Sequence, residues 1–133
     1  MEQSAYSLAV TTPLGFEEAV AATIAALRAE GFGVLTEIDV KATLKQKLDV
    51  DFRPYLILGA CNPRLAYRGL QAEEDLGLLL PCNVVVSETG HGARVAVMDP
   101  ALMASITENE ALEDIAAEAR GAMERVLAAV ESS

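Results

Sequence analysis

The sequence predicts an α+β domain with a mainly antiparallel sheet, in the order β-α-β4-α with short inserted helices. Three observations predict it. Few of the strand-like segments are separated by enough chain for a long helical crossover, and Gly90-His91-Gly92 joins two of them directly as a hairpin. Two long stretches, 15–30 and 109–130, carry apolar residues at helical spacing. The other helical signals are short and fall between strands. With 133 residues and no repeat or low-complexity linker, residues 1–133 read as one domain.

The elements follow in order. Tyr6, Leu8 and Val10 alternate with Ser7, Ala9 and Thr11, the pattern of a half-buried strand that ends at Thr12-Pro13. Phe16, Val20, Ile24 and Leu27 mark the first helix, with Gly31 as its stop. Residues 33–40 form the second strand, with Val34, Ile38 and Val40 on one parity and Glu37 and Asp39 on the other. A short amphipathic helix follows on Val40, Leu44 and Leu48, flanked by Lys41, Lys45 and Lys47. Residues 49–54 connect it to a third strand, Tyr55–Cys61, which is apolar on both parities.

Asn62 then suits a helix N-cap, and Pro63 suits the first helical position, where a missing N–H costs nothing. The helix Pro63–Ala72 carries Leu65, Tyr67 and Leu70. A short helical turn and an extended apolar segment lead to Pro81. The hairpin strands are Asn83–Thr89 and Ala93–Met98, and Pro100–Met103 reads as one helical turn. In the last helix, Leu112, Ile115, Ala119, Met123, Val126, Leu127 and Val130 make the apolar stripe. Glu108, Glu110, Glu113 and Asp114 crowd its start, where the helix dipole favours acids.

Composition narrows the function classes. A net charge of −10 argues against nucleic acid and anionic membrane surfaces as partners, since both need dense Lys and Arg. No apolar stretch approaches the ~20 residues of a membrane span. The first residues lack the basic and apolar regions of a secretory signal, so the expected location is cytoplasmic. In that reducing setting the two cysteines are expected as free thiols. Hydrophobic residues make up 52% of the chain, more than a small core needs, which predicts that a second copy covers part of the surface as a homodimer.

The chemistry-bearing residues are few. Cys61-Asn62-Pro63 and Pro81-Cys82-Asn83 are near mirror images, each at the end of an apolar strand. If those strands are antiparallel neighbours, Cys61 and Cys82 meet. The helix start after Cys61 favours a thiolate there. The plainer reading is that both cysteines pack as small apolar side chains. A structural zinc site needs four ligands at paired spacing, and the chain offers two Cys and one His, so no metal ligand set is assigned. His91 belongs to a turn. Neither Gly90-His91-Gly92 nor Gly31-Phe32-Gly33 has phosphate-loop spacing. Lys45 and Lys47 form a solvated face or an anion site.

The segments Ala42-Thr43-Leu44-Lys45-Gln46-Lys47-Leu48, Pro54-Tyr55-Leu56-Ile57-Leu58-Gly59-Ala60-Cys61-Asn62-Pro63 and Gly77-Leu78-Leu79-Leu80-Pro81-Cys82-Asn83-Val84 together resemble domain-of-unknown-function family 302. The resemblance runs over nearly the whole chain. It implies a TATA-binding-protein-like fold that pairs as a homodimer, and it implies no activity. It marks Lys47, Tyr55, Cys61, Asn62, Pro63, Pro81, Cys82 and Asn83 as matching the family pattern. The chain departs from that pattern at Asp49, where glycine is expected, and at Gly69, where a helix-favouring alanine is expected.

Two functions follow. In the first, Cys61 and Cys82 form a thiol site for redox, sulfur or soft-metal handling. Asn62 and Asn83 orient or cap it, and with Tyr55 and Lys47 they bind the ligand, a small anionic or sulfur-containing molecule that Lys47 draws in. In the second, the protein is a non-enzymatic ligand-binding or assembly module and both cysteines only pack. The sequence names no cofactor and does not decide whether the protein is an enzyme.

Overall fold

The computed structural model describes all residues, 1–133. Its strands are β1 (Glu2–Gln3), β2 (Ser7–Thr12), β3 (Gly33–Asp39), β4 (Tyr55–Cys61), β5 (Cys82–Thr89) and β6 (Gly92–Met98). Its α-helices are α1 (Phe16–Ala29), α2 (Val40–Leu48), α3 (Pro63–Ala72), α4 (Ala101–Thr107) and α5 (Glu113–Glu131). Single 3-10 segments, Glu74–Leu79 and Glu110–Leu112, lead into β5 and α5. The sheet runs β1-β2-β6-β5-β4-β3 and every pairing is antiparallel. The expected α+β class and β-α-β4-α order are therefore present, with β1 added at the edge.

Antiparallel register sorts the side chains into two faces. Leu8, Val97, Val84 and Leu58 are aligned across β2, β6, β5 and β4, and all four are fully or almost fully buried. With Val10, Val95 and Val86 they pack against Ala19, Ala26 and Leu27 of α1 and Met123, Val126, Leu127 and Val130 of α5. Each buried Val, Leu or Met among them contributes about 1.5–3 kcal/mol. A second, smaller core lies under α3, α4 and the 3-10 segments. It joins Leu65, Leu76, Met103 and Leu112 to Ile115, Ala116 and Ala119 of α5. The long stripe of α5 thus serves both cores.

The opposite face is different. Ala9, Ala96, Val85, Ile57 and Ile38 form one row across five strands, and beyond the fully buried Ala9 none of them is buried or packed in either cluster. Two expectations about the faces are corrected here. Tyr6 lies just outside β2 and is 67% exposed, so it does not share the burial of Leu8 and Val10. In β3 the register shifts between Val34 and Thr36. Leu35 is the extra residue, and such a bulge reverses the parity beyond it. Val34 packs on the core while Ile38 lies on the open face, 49% exposed.

The short elements also refine the sequence reading. The turn expected at Pro100–Met103 extends to a helix through Thr107, because Met103 is buried against α5. In α2, Leu48 is exposed, so the stripe is shorter than its spacing implies. Asp49, where the family pattern expects glycine, closes α2 in the left-handed region at φ 53°. Glycine takes that conformation freely, and aspartate is among the few other residues that tolerate it. Gly69 has a separate reason. A Cβ there would come within 2.5 Å of Leu76 Cδ2, so the missing methyl is the space into which Leu76 packs.

Gly69→Ala therefore sets a helix-propensity gain of about 1 kcal/mol against an overpacking cost of about 1–3 kcal/mol. Urea unfolding should show a net loss of about 1 kcal/mol. A gain would mean that Leu76 moves aside freely.

Candidate functional site

Strand β4 delivers Cys61 to the start of α3. Asn62 caps that helix, its Oδ1 accepting from the Leu65 N–H at 3.2 Å, and Pro63 takes the first position. In β5, Cys82 begins the strand, and its Cα partner across the ladder is Ala60, the neighbour of Cys61. The two cysteines are free thiols and not a bonded pair. Cys61 is half-buried and Cys82 is buried.

Both line one apolar cavity of about 30 Å³. It sits at the seam between the two cores, with Phe32 and Ala60 from the larger and Leu65, Leu76, Met103 and Ile115 from the smaller. Asn62 is its only strongly polar wall, and the oxygen of that side chain is already committed to the cap. The volume holds one or two water-sized bodies and no organic substrate. Burial, with the Cys61 charge adding to it, raises the Cys82 thiol from 9.0 to about 11. Cys82 is therefore protonated at neutral pH.

Four contacts fix the walls. Arg64 and Arg68 of α3 both hold Glu118 of α5, at 2.7 and 2.9 Å, closing α3 over the cavity. The two guanidinium hydrogen bonds lower the pKa of the exposed Glu118 carboxyl. The clamp is complete above the ordinary carboxylate range and is lost as pH falls through that lowered value. On the other side, buried Asp99 accepts from the Ala101 N–H at 3.0 Å and faces Arg120 Nη1 at 3.6 Å, which ties the start of α4, and with it Met103, to α5.

A second concavity lies on the open sheet face. It is a shallow basin of about 470 Å³, with Val85, Ala96 and Met98 on its floor and Tyr6, Tyr55 and Asn83 around it. Arg53 stands at its edge with its guanidinium 4.8 Å from the Phe52 ring centroid and 5.7 Å from that of Tyr55. Arg94 is paired with Glu2 at 3.1 Å.

The expected site residues thus divide. Cys61, Cys82 and Asn62 share the sulfur-lined cavity. Tyr55 and Asn83 line the basin instead. Asn83 follows Cys82 by one step, so strand alternation turns it to the other face. Tyr55 begins β4 and Cys61 ends it, so the length of the strand separates them. Lys47 stands in the exposed last turn of α2 and lines neither space. Met103 is the wall residue that sequence reasoning missed, because a methionine at helical spacing reads as core.

The profile of the family described as "Domain of unknown function DUF302" matches residues 8–130, from β2 to the last turns of α5. The chain belongs to the DUF302 family. It is similar to a crystal structure of an uncharacterized conserved DUF302 protein from Bacillus stearothermophilus, with 29% identity and a TM-score of 0.88. That match covers 96% of this chain and 99% of the other. No curated protein matches it. No helix of this DUF302 protein is long and apolar enough to cross a membrane.

The Cys82 shift has a consequence for stability. The folded state holds the Cys82 proton more tightly than the unfolded chain, so its contribution is complete below 9.0 and is lost as pH rises to about 11. Denaturant midpoints should fall over that interval by an equivalent of up to about 2–3 kcal/mol. Cys82→Ala should flatten the decline. An equal decline in the variant would assign it to other groups.

Proposed function

We propose that this DUF302 protein is a small homodimeric thiol protein whose working site is the cavity shared by Cys61 and Cys82. The observation that carries this reading is the convergence itself. Two thiols separated by a helix and a 3-10 segment in sequence line one small, partly open apolar space, and one of them is partly open to solvent. A reducing cytoplasmic setting fits two unbonded thiols. The small volume argues against an organic sulfur substrate held inside, and the protonated Cys82 argues against a two-thiolate nucleophile. The reading is therefore one of binding at sulfur rather than turnover, with Cys61 as the point of entry.

Native-state alkylation followed by intact-mass analysis tests it. Cys61 should react at least about a hundredfold faster than Cys82, because reactivity follows exposure and thiolate fraction. Cys61→Ser should remove the fast phase and leave the circular dichroism spectrum unchanged. If both thiols are inert until the protein unfolds, the thiol reading fails and both cysteines only pack.

A second reading is favoured by the open sheet face. Its row Ala96, Val85, Ile57 and Ile38 is apolar, half-buried to exposed, and lacks the packing that the helices give the other face. In this reading a second copy covers it. The chain carries −10, and its acidic residues crowd the helices, at Glu17, Glu18, Glu113, Asp114 and Glu124 among others. On the open face, Arg94 is neutralised by Glu2. Two acidic chains repel least when they meet through that surface. The bulge in β3, with Glu37 and Asp39 beyond it, disfavours edge-to-edge pairing instead. Sedimentation equilibrium should give twice the 14.1 kDa chain mass, and Val85→Glu should return the monomer. A monomeric parent at micromolar concentration overturns this reading.

A further inference from the structure

We propose that the cavity lined by Cys61, Cys82 and Met103 binds one soft monovalent metal ion of the copper(I) or silver(I) type. This rests on the thiol reading and narrows it to one ligand class. Size is the first reason. A space of about 30 Å³ admits a bare ion and is too small to hold a thiol cofactor or a sulfur-containing metabolite within it.

The second reason is the donor set. Three sulfur-bearing side chains converge from three separate elements, β4, β5 and α4, and the remaining walls are apolar apart from Asn62. Thiolates and thioethers select soft ions such as copper(I), whereas carboxylates, carbonyls and water select magnesium or calcium. No group of three or more His, Cys, Asp or Glu side chains is placed to hold a metal ion. Zinc, which takes four such ligands, is therefore poorly served. Copper(I) and silver(I) are satisfied by two or three sulfurs, which matches what the cavity supplies.

The third reason is the way in and the support around it. Cys61 and Asn62 are partly exposed, while Cys82 and Met103 are buried at 5% and 4% exposure. An ion meets Cys61 first and passes inward to the other two sulfurs. The Asn62 cap fixes the backbone beside Cys61, and the Asp99 contacts fix α4, which carries Met103. Binding involves no electron transfer. The metal arrives as a monovalent ion, forms bonds to two thiolate sulfurs and one thioether, and displaces the two thiol protons to solvent.

The experiment is an anaerobic titration of the reduced protein with copper(I) presented as its bicinchoninate complex, and with silver(I) alone. One ion per chain should transfer from the chelator, read as loss of the complex's colour and as added mass in native mass spectrometry. X-ray absorption at the copper edge should give three sulfur neighbours in the parent and two in Met103→Leu, a near-isosteric swap. Met103→Leu should also weaken binding by at least about tenfold, the lower end of what even an outer-shell partner is worth. Cys61→Ser and Cys82→Ser should each abolish transfer. Binding that survives Cys61→Ser, or a sulfur count that Met103→Leu leaves unchanged, overturns the proposed site. Fast alkylation of Cys61 without any transfer of copper(I) or silver(I) sinks the metal inference and leaves the thiol reading standing. Inert thiols and no transfer sink both.

Discussion

The β4–β5 ladder is the constraint on which the rest of this protein depends. Its register, Tyr55 opposite Ser87 through Ala60 opposite Cys82, does three things at once. It turns Leu56, Leu58 and Ala60 toward α1 and α5 together with Val84 and Val86. It leaves Ile57 and Val85 side by side on the face that the two core clusters do not include. It also brings the end of one strand beside the start of the other, so that Cys82 lies next to the residue before Cys61. A slip of one residue would reverse every one of these assignments, since side chains alternate with a period of two.

The sulfur-lined cavity follows from how that ladder meets the helical layer. The larger core is sheet against α1 and α5, and the smaller is α3, α4 and the 3-10 segments against the first half of α5. Where two cores join, side chains anchored to different elements must fill one seam. Phe32 and Ala60 approach from one side and Leu65, Leu76 and Met103 from the other, and a small space remains between them. Apolar walls of this kind keep an empty space dry. The same burial raises the Cys82 pKa, so a metal bound there must displace a proton that the folded protein holds tightly.

Much of this was legible in the sequence where the physics is local. Tyr55–Cys61 and Pro63–Ala72 fall as the residues predict, because a two-sided apolar run, an Asn N-cap and a Pro at the first helical position are signals contained in a few neighbours. The stripe of α5 was legible for the same reason, and Leu112 through Val130 are buried as spaced. Antiparallel pairing of β4 and β5 brings the Cys61 and Cys82 ends together, and Cys61 lines the cavity as the last residue of β4, where the chain turns into α3. The rest depended on contacts between distant elements. The bulge at Leu35 arises from pairing with β4 and sends Ile38 to the open face, which no alternation within β3 reveals. Gly69 read as a weak helix position, but its meaning is set by Leu76 packing against it. Met103 joined the cavity through the packing of α4 on α5, Asn83 left it through strand alternation, and Tyr55 lies at the far end of β4.

Diffraction from crystals of the reduced protein at a wavelength chosen for sulfur anomalous scattering tests the central claim most directly, because it locates the sulfur atoms without any ligand. The account predicts that the Cys61, Cys82 and Met103 sulfurs border one small void at the mouth of α3, with no side chain between them and no density joining the two cysteines. Sulfur positions separated by a packed side chain such as Leu65, Leu80 or Phe32, or a Met103 sulfur turned away into the smaller core, would contradict it.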